Sequence, residues 1–171
     1  MLFSTKAEYG VRLMVELGRR AGARPADAAE PVALGTIAES ETLPLSYLEH
    51  LVAKLRHAGL VISIRGAHGG YRLARPTAEI AMLDVVQALE GPITPMECFQ
   101  AERDGRVLCS HELDADRACA TKLLWTRVQG GITKALNGTT LADLVEFAEH
   151  PEPAPAAPAP IAAAATVTDS R

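Results

Sequence analysis

The chain has 171 residues, a formal charge of −4, 48% hydrophobic residues and only 4% aromatic ones. That length is enough for one compact unit or two small ones around a modest core. No apolar run approaches the roughly 18 residues of a membrane span, and MLFSTKAEYG lacks the basic start, apolar middle and cleavage site of a secretory signal, so a cytoplasmic protein with no membrane association is expected.

Ser4 or Thr5 can cap a first helix running to about Arg20, with Tyr9, Leu13 and Leu17 repeating every four residues. Glu8, Arg12 and Glu16 take another face, and the Glu8–Arg12 spacing suits an i,i+4 ion pair. A loop over 22–31 leads to a short second helix around Leu34, Ile37 and Ala38, then to a turn at Thr42-Leu43-Pro44. Ser46-Tyr47-Leu48-Glu49 has the S-x-x-E form of a capping box and predicts a third helix from Ser46 to about Ala58, ended by Gly59. Its Leu48, Leu51, Val52 and Leu55 make one inward stripe, leaving Tyr47, His50, Lys54 and His57 outward. Leu60 to Ile64 reads as a strand, Gly66 to Gly70 as a turn, and Tyr71-Arg72-Leu73 as the returning strand.

Ile80 to Glu90 predicts another short helix, stopped by Gly91-Pro92. The polar stretch ECFQAERDGRVLCSHELDADRACA follows and holds all three cysteines, Cys98, Cys109 and Cys119. From about Thr121, Leu124, Val128, Ile132 and Leu136 recur every four residues beside Trp125, interrupted by Gly130-Gly131. A glycine pair permits close backbone approach, so this is read as a long helix packed against a second subunit. Thr140 to His150 adds a last helix, and the Pro/Ala-rich tail is expected to be disordered. The expected fold is mostly α with a small β wing: a winged helix-turn-helix over 1–80, a cysteine loop and dimerisation helices over 81–150, and a tail over 151–171.

In a helix-turn-helix the second helix enters the major groove by its N-terminal residues, and the wing lies beside it. Residues 1–75 carry ten Lys/Arg against seven Asp/Glu, while 76–171 carry seven against fourteen, so the cationic surplus sits where that motif falls. Ser46, Tyr47, Glu49 and His50 occupy the reading positions, Lys54 lies further along the outer face, and Arg65 and His68 stand on the wing turn. Glu49 has two readings: an acceptor for a cytosine amino group, or the capping partner of Ser46.

Clustered thiols in a reducing compartment suit metal or redox chemistry better than a disulfide. Thiolates bind iron-sulfur clusters and zinc alike. A Cys3His zinc site from Cys98, Cys109, His111 and Cys119 lacks the closely spaced Cys pairs typical of zinc, and a bare thiol switch is a further reading. No glycine loop of nucleotide-binding form opens a helix, so an enzyme is not expected.

The string LSYLEHLVAKLRHAGLVISIRGAHGGYRL, with STKAEYGVR, ALEGP and TTLADL elsewhere, resembles the Rrf family of bacterial transcription regulators. The resemblance implies a homodimer, two winged helices reading double-stranded DNA at a palindromic operator, and a long connecting helix. In cluster-binding members three cysteines after the short helix are ligands, which places Cys98, Cys109 and Cys119 on an iron-sulfur cluster, with 2Fe-2S set ahead of 4Fe-4S. Ser46, Tyr47, Glu49 and Arg65 match positions used for DNA contact, whereas His50 departs from a common glutamine. Lys122 stands where a ligand histidine occurs, so a fourth ligand must come from elsewhere. Glu8 aligns with an acidic ligand donated across the dimer and ranks first for that position; His111, two residues after Cys109, ranks behind it, and water or an external small molecule is the remaining choice. The function implied is a repressor that senses cluster, redox or nitric-oxide status and controls iron-sulfur assembly or related sulfur and redox genes. The alternatives are a cluster-free regulator controlled by a partner enzyme or metabolite, of the cysteine-metabolism type, which lacks the cysteine set, and one with a structural zinc site.

Overall fold

A computed structural model describes residues 4–22, 28–94, 102–103, 106–107 and 120–151. The expectations for Cys98, Cys109, His111, Cys119 and the tail lie outside the described residues.

Helix α1 (Thr5–Ala21) starts at Ser4, whose hydroxyl accepts from the Lys6 amide. It buries more than one face and packs against α2 (Leu34–Glu41), α3 (Leu45–His57), α4 (Met82–Glu90) and α6 (Leu141–Glu149). Leu13, Met14 and Leu17 enter the core, while two glycines let neighbouring helices come close. A Cβ at Gly10 would meet Leu89 at 2.1 Å, and one at Gly18 would meet Val145 at 2.7 Å.

This central position buries Glu16 and corrects one expectation for α1. Glu16 is 5% exposed, its carboxylate accepting from Arg20 Nε at 2.6 Å, Ser40 Oγ at 3.2 Å and Arg19 Nη1 at 3.5 Å. A carboxylate tolerates that burial because hydrogen bonds and two cations replace its water. Arg12 does not pair with Glu8: its Nε donates to Glu41 Oε2 at 2.9 Å, at the end of α2. The guanidinium also donates to the Glu41 carbonyl, one of the orphan acceptors at the C-terminus of α2.

Thr42 closes α2 in the left-handed region, φ 54°, and turns the chain into α3. The expected capping box at Ser46 does not form. Pro44 is the N-cap residue, its carbonyl accepting from the Tyr47 and Leu48 amides at 3.1 Å, so α3 begins one residue early and Ser46 lies inside its first turn. The fixed φ of Pro44 suits the cap, and Leu43 just before it is buried, which holds the entry in place. A capping box forms instead at Thr140, whose hydroxyl accepts from the Asp143 amide while the Asp143 carboxylate accepts from the Thr140 amide at 2.7 Å.

Strands β1 (Val61–Ile64) and β2 (Gly70–Leu73) pair antiparallel, Val61 opposite Leu73 and Ile64 opposite Gly70. Val32 adds a third rung, exchanging two hydrogen bonds of 2.8 Å with Tyr71. A Cβ at Gly70 would meet the Val32 carbonyl oxygen at 2.4 Å, so only glycine fits that crossing. A single 3₁₀ turn (Thr77–Glu79) precedes α4, and strands β3 (Glu102–Arg103) and β4 (Arg106–Val107) make a minimal antiparallel pair.

Helix α5 (Ala120–Asn137) follows, with Leu123 60% and Leu124 56% exposed. A bridge between Ala81 and Thr140 then ties the entry of α6 to that of α4, with Met82 N donating to Thr139 O at 2.9 Å and Leu141 N to Ile80 O at 2.8 Å. Residues on both sides of position 80 share one core, in which Leu48, Leu55 and Val61 join Val85, Leu89 and Leu141. The architecture is mostly helical with a two-stranded wing, as the sequence leads one to expect.

Candidate nucleic-acid interface

Helix α3 buries Leu48, Leu51, Val52 and Leu55, the inward stripe read from the sequence. Burying a leucine contributes about 1.5–3 kcal/mol, so this stripe settles which face α3 offers to solvent. Ser46, Glu49 and His50 are exposed on the first turns of that outer face. With no capping box, neither the Ser46 hydroxyl nor the Glu49 carboxylate serves the helix end, and among the described residues Glu49 makes no side-chain hydrogen bond or ion pair. The capping role for Glu49 is therefore removed, and its carboxylate is open to an external donor.

Tyr47 is half-buried. Its ring meets Tyr9 of α1 edge-on, centroids 5.7 Å apart at 85°, and the Arg12 guanidinium lies 5.9 Å from the Tyr9 centroid. Arg12, Tyr9 and Tyr47 thus form a stack that ties the start of α3 to α1 and, through Glu41, to the end of α2. Sequence reasoning missed the stack, although the non-glycine left-handed residue Thr42 marks the place where α2 must stop. Leu45, the first residue of α3, is 44% exposed beside the reading positions.

The wing turn is held by glycine geometry. Gly66 has φ 121° and its carbonyl accepts from the Gly69 amide at 2.9 Å, while a Cβ at Gly69 would lie 2.4 Å from the Ile64 carbonyl oxygen. Arg65 and His68 project from this closed turn and are both exposed.

Lys54 is exposed on α3, as expected of it, and also makes a contact within the fold. Its Nζ donates to the Leu89 carbonyl at 2.9 Å, at the C-terminal end of α4, where a cation also meets the negative end of the helix dipole. Glu8 is exposed and, among the described residues, its carboxylate has no ion pair. It lines a groove of about 470 Å³ with Ser4, Thr5, Val11, Arg12, Val86 and Leu136. Lys122 is half-buried on α5. No group of three or more metal-binding side chains occurs among the described residues, which exclude the cysteines. No helix among them is long and apolar enough to cross a membrane.

An exposed helix start beside a glycine-closed β wing defines a winged-helix DNA-binding protein. Residues 3–147 match the family described as Rrf2, iron-dependent transcriptional regulator, and the chain belongs to that family. It is 37% identical over 149 residues to the HTH-type transcriptional regulator CymR of Bacillus subtilis (strain 168), covering 87% of this chain and 93% of that protein. It is 34% identical to the HTH-type transcriptional regulator IscR of Vibrio atlanticus (strain LGP32), over 85% of this chain and 76% of the other. Among solved structures, CymR, the global cysteine regulator of B. subtilis, superposes with a TM-score of 0.66 at 37% identity, covering 86% of this chain and 98% of that one. T. potens IscR gives 0.66 at 36% identity, over 91% and 94%. The relatives are transcriptional regulators, not enzymes.

Proposed function

We propose that this chain is a homodimeric repressor that reads a palindromic operator with Ser46, Tyr47, Glu49, His50, Arg65 and His68, its DNA binding governed by an iron-sulfur cluster. The observation that carries the DNA-reading half is the outer face of α3, whose first turns present Ser46, Glu49 and His50 with no capping duty. Phosphate contacts then set register, while hydrogen bonds at base edges set sequence. The dimer is supported by α5: Leu123, Leu124 and Val128 are exposed together, and a Cβ at Gly130 or Gly131 would meet nothing within 4 Å. An apolar stripe of that kind is stabilised by a second copy of itself.

The cluster reading rests on the donor chemistry of the sequence. Cys98, Cys109 and Cys119 would supply three thiolates and the partner's Glu8 a carboxylate, with His111 the second choice for the fourth position. Glu8 suits that role because it is exposed and makes no ion pair among the described residues, Arg12 beside it being engaged with Glu41. A cluster supplies an oxidant-sensitive redox centre whose potential responds to exposure and hydrogen bonding. The gene class that fits is iron-sulfur assembly or related sulfur and redox functions. A second reading, a cluster-free regulator of cysteine-related genes, is favoured by the likeness to CymR.

The deciding experiment is an absorption spectrum of anaerobically purified protein with iron, sulfide and zinc content. Visible absorbance with stoichiometric iron and sulfide is expected. A colourless protein with zinc makes the site structural, and one with no metal leaves the cluster-free regulator.

A further inference from the structure

The last turn of α4 and the residues after it form a junction on which three other helices converge. From α1, the Ser4 amide donates to Glu90 Oε1 at 3.1 Å, its hydroxyl donates to the same oxygen, and Gly10 admits the Leu89 side chain. From α3, Lys54 Nζ donates to the Leu89 carbonyl at 2.9 Å. From α5, Gln129 Nε2 donates to the Ile93 carbonyl at 2.9 Å. Leu89 and Ile93 are buried, so both acceptors belong to a packed segment. The last carbonyls of a helix have no acceptor role within it, and here Lys54 takes up one of them.

We propose that residues 89–93 are the joint that sets the angle between the reading helix α3 and the dimer helix α5, and that Lys54 and Gln129 are positioning residues for DNA-site spacing. In a two-fold dimer built on α5, the separation and rotation of the two α3 helices follow from how each α3 is seated relative to its own α5. Lys54 and Gln129 attach those two helices to the same short segment, at carbonyls four residues apart. Lys54 therefore acts on DNA binding through Leu89 rather than through a phosphate. Sequence pattern could not separate these roles, because an outward lysine on a reading helix looks like a phosphate contact.

The inference rests on the dimeric DNA-reading proposal, and its test separates the two. An operator is selected from random duplex DNA with the wild-type protein, and binding is measured on a series in which the half-site spacing is changed by one or two base pairs, each pair turning one half-site by about a tenth of a turn. Lys54→Met and Gln129→Leu are each expected to flatten the spacing preference by about tenfold, the scale of one hydrogen bond. Their salt slope should equal that of the wild type, and Lys54→Arg, which keeps a donor, should retain the preference. A Lys54→Met protein whose salt slope drops by about one with spacing preference intact makes Lys54 a phosphate contact and overturns the inference. So does a spacing preference unchanged in both folded variants, as shown by circular dichroism. A wild-type protein indifferent to spacing would instead overturn the dimeric reading itself.

Discussion

Gly10 and Leu89 touch where α1 and α4 cross, so closely that a methyl group on Gly10 would fall 2.1 Å from a Leu89 methyl. Leu89 is 1% exposed, leaving that side chain little room to yield. Gly10→Ala gains helix propensity of roughly 1 kcal/mol, yet the clash works against it, and overpacking of a filled core costs about 1–3 kcal/mol. The variant should therefore unfold at lower denaturant concentration with an unchanged m-value. An unchanged or higher midpoint would mean that α4 moves freely.

Arg65 leaves β1 at the start of the wing turn, exposed and without a hydrogen-bond partner among the described residues. Arg65→Ala should leave fold and dimer intact while weakening operator binding. A base contact costs about 1–3 kcal/mol and relaxes specificity at one position, whereas a phosphate contact lowers the salt slope by about one. Operator affinity equal to wild type would remove Arg65 from the interface.

The three cysteines are expected to act as one unit. Single Cys98→Ser, Cys109→Ser and Cys119→Ser changes should each abolish or strongly reduce visible absorbance and uncouple DNA binding from oxidants, because a cluster short of a thiolate is labile. Full iron content in any single variant shows that the missing thiol is not a ligand.

Glu8→Ala should keep the cysteine-bound cluster but shift its spectrum and speed its loss, while His111→Ala does neither. Arg12 is engaged with Glu41, so no helix-surface pair is broken by the Glu8 change and the fold should be unaffected. A spectrum altered only by His111→Ala would place every protein ligand within one subunit.

The Ser4 hydroxyl holds the Glu90 carboxyl below its ordinary value, with the Ser4 amide and the Lys6 charge adding to the effect. A depressed folded-state value means that this contact stabilises the fold at pH above the ordinary glutamate range and is lost as pH falls through the depressed value. Melting temperature should accordingly fall less steeply below about pH 4.5 in Glu90→Gln than in the wild type. Parallel acid profiles would show that the Ser4–Glu90 contact contributes nothing in solution.

What the sequence settled is what short-range pattern encodes. The inward stripe of Leu48, Leu51, Val52 and Leu55, the β-branched run into Gly66, and the return at Tyr71 each lie within a few residues, and together they spell the winged helix. The long register of Leu124 and Val128 likewise announced a helix with an uncovered side. Roles that join distant residues could not be read this way. Glu16 meets Ser40, Arg12 meets Glu41 and Lys54 meets Leu89 across 24, 29 and 35 residues, so three polar side chains that look alike along the chain end in a buried ion cluster, on the end of α2 and on the end of α4. The two capping patterns show the division in one comparison. Thr140-x-x-Asp143 forms its box, whereas Ser46-x-x-Glu49 does not, because Pro44 takes the cap while Leu43 is buried ahead of it. Local chemistry proposes a helix start, and the packing around it decides which residue is first and which side chains are left without a capping role.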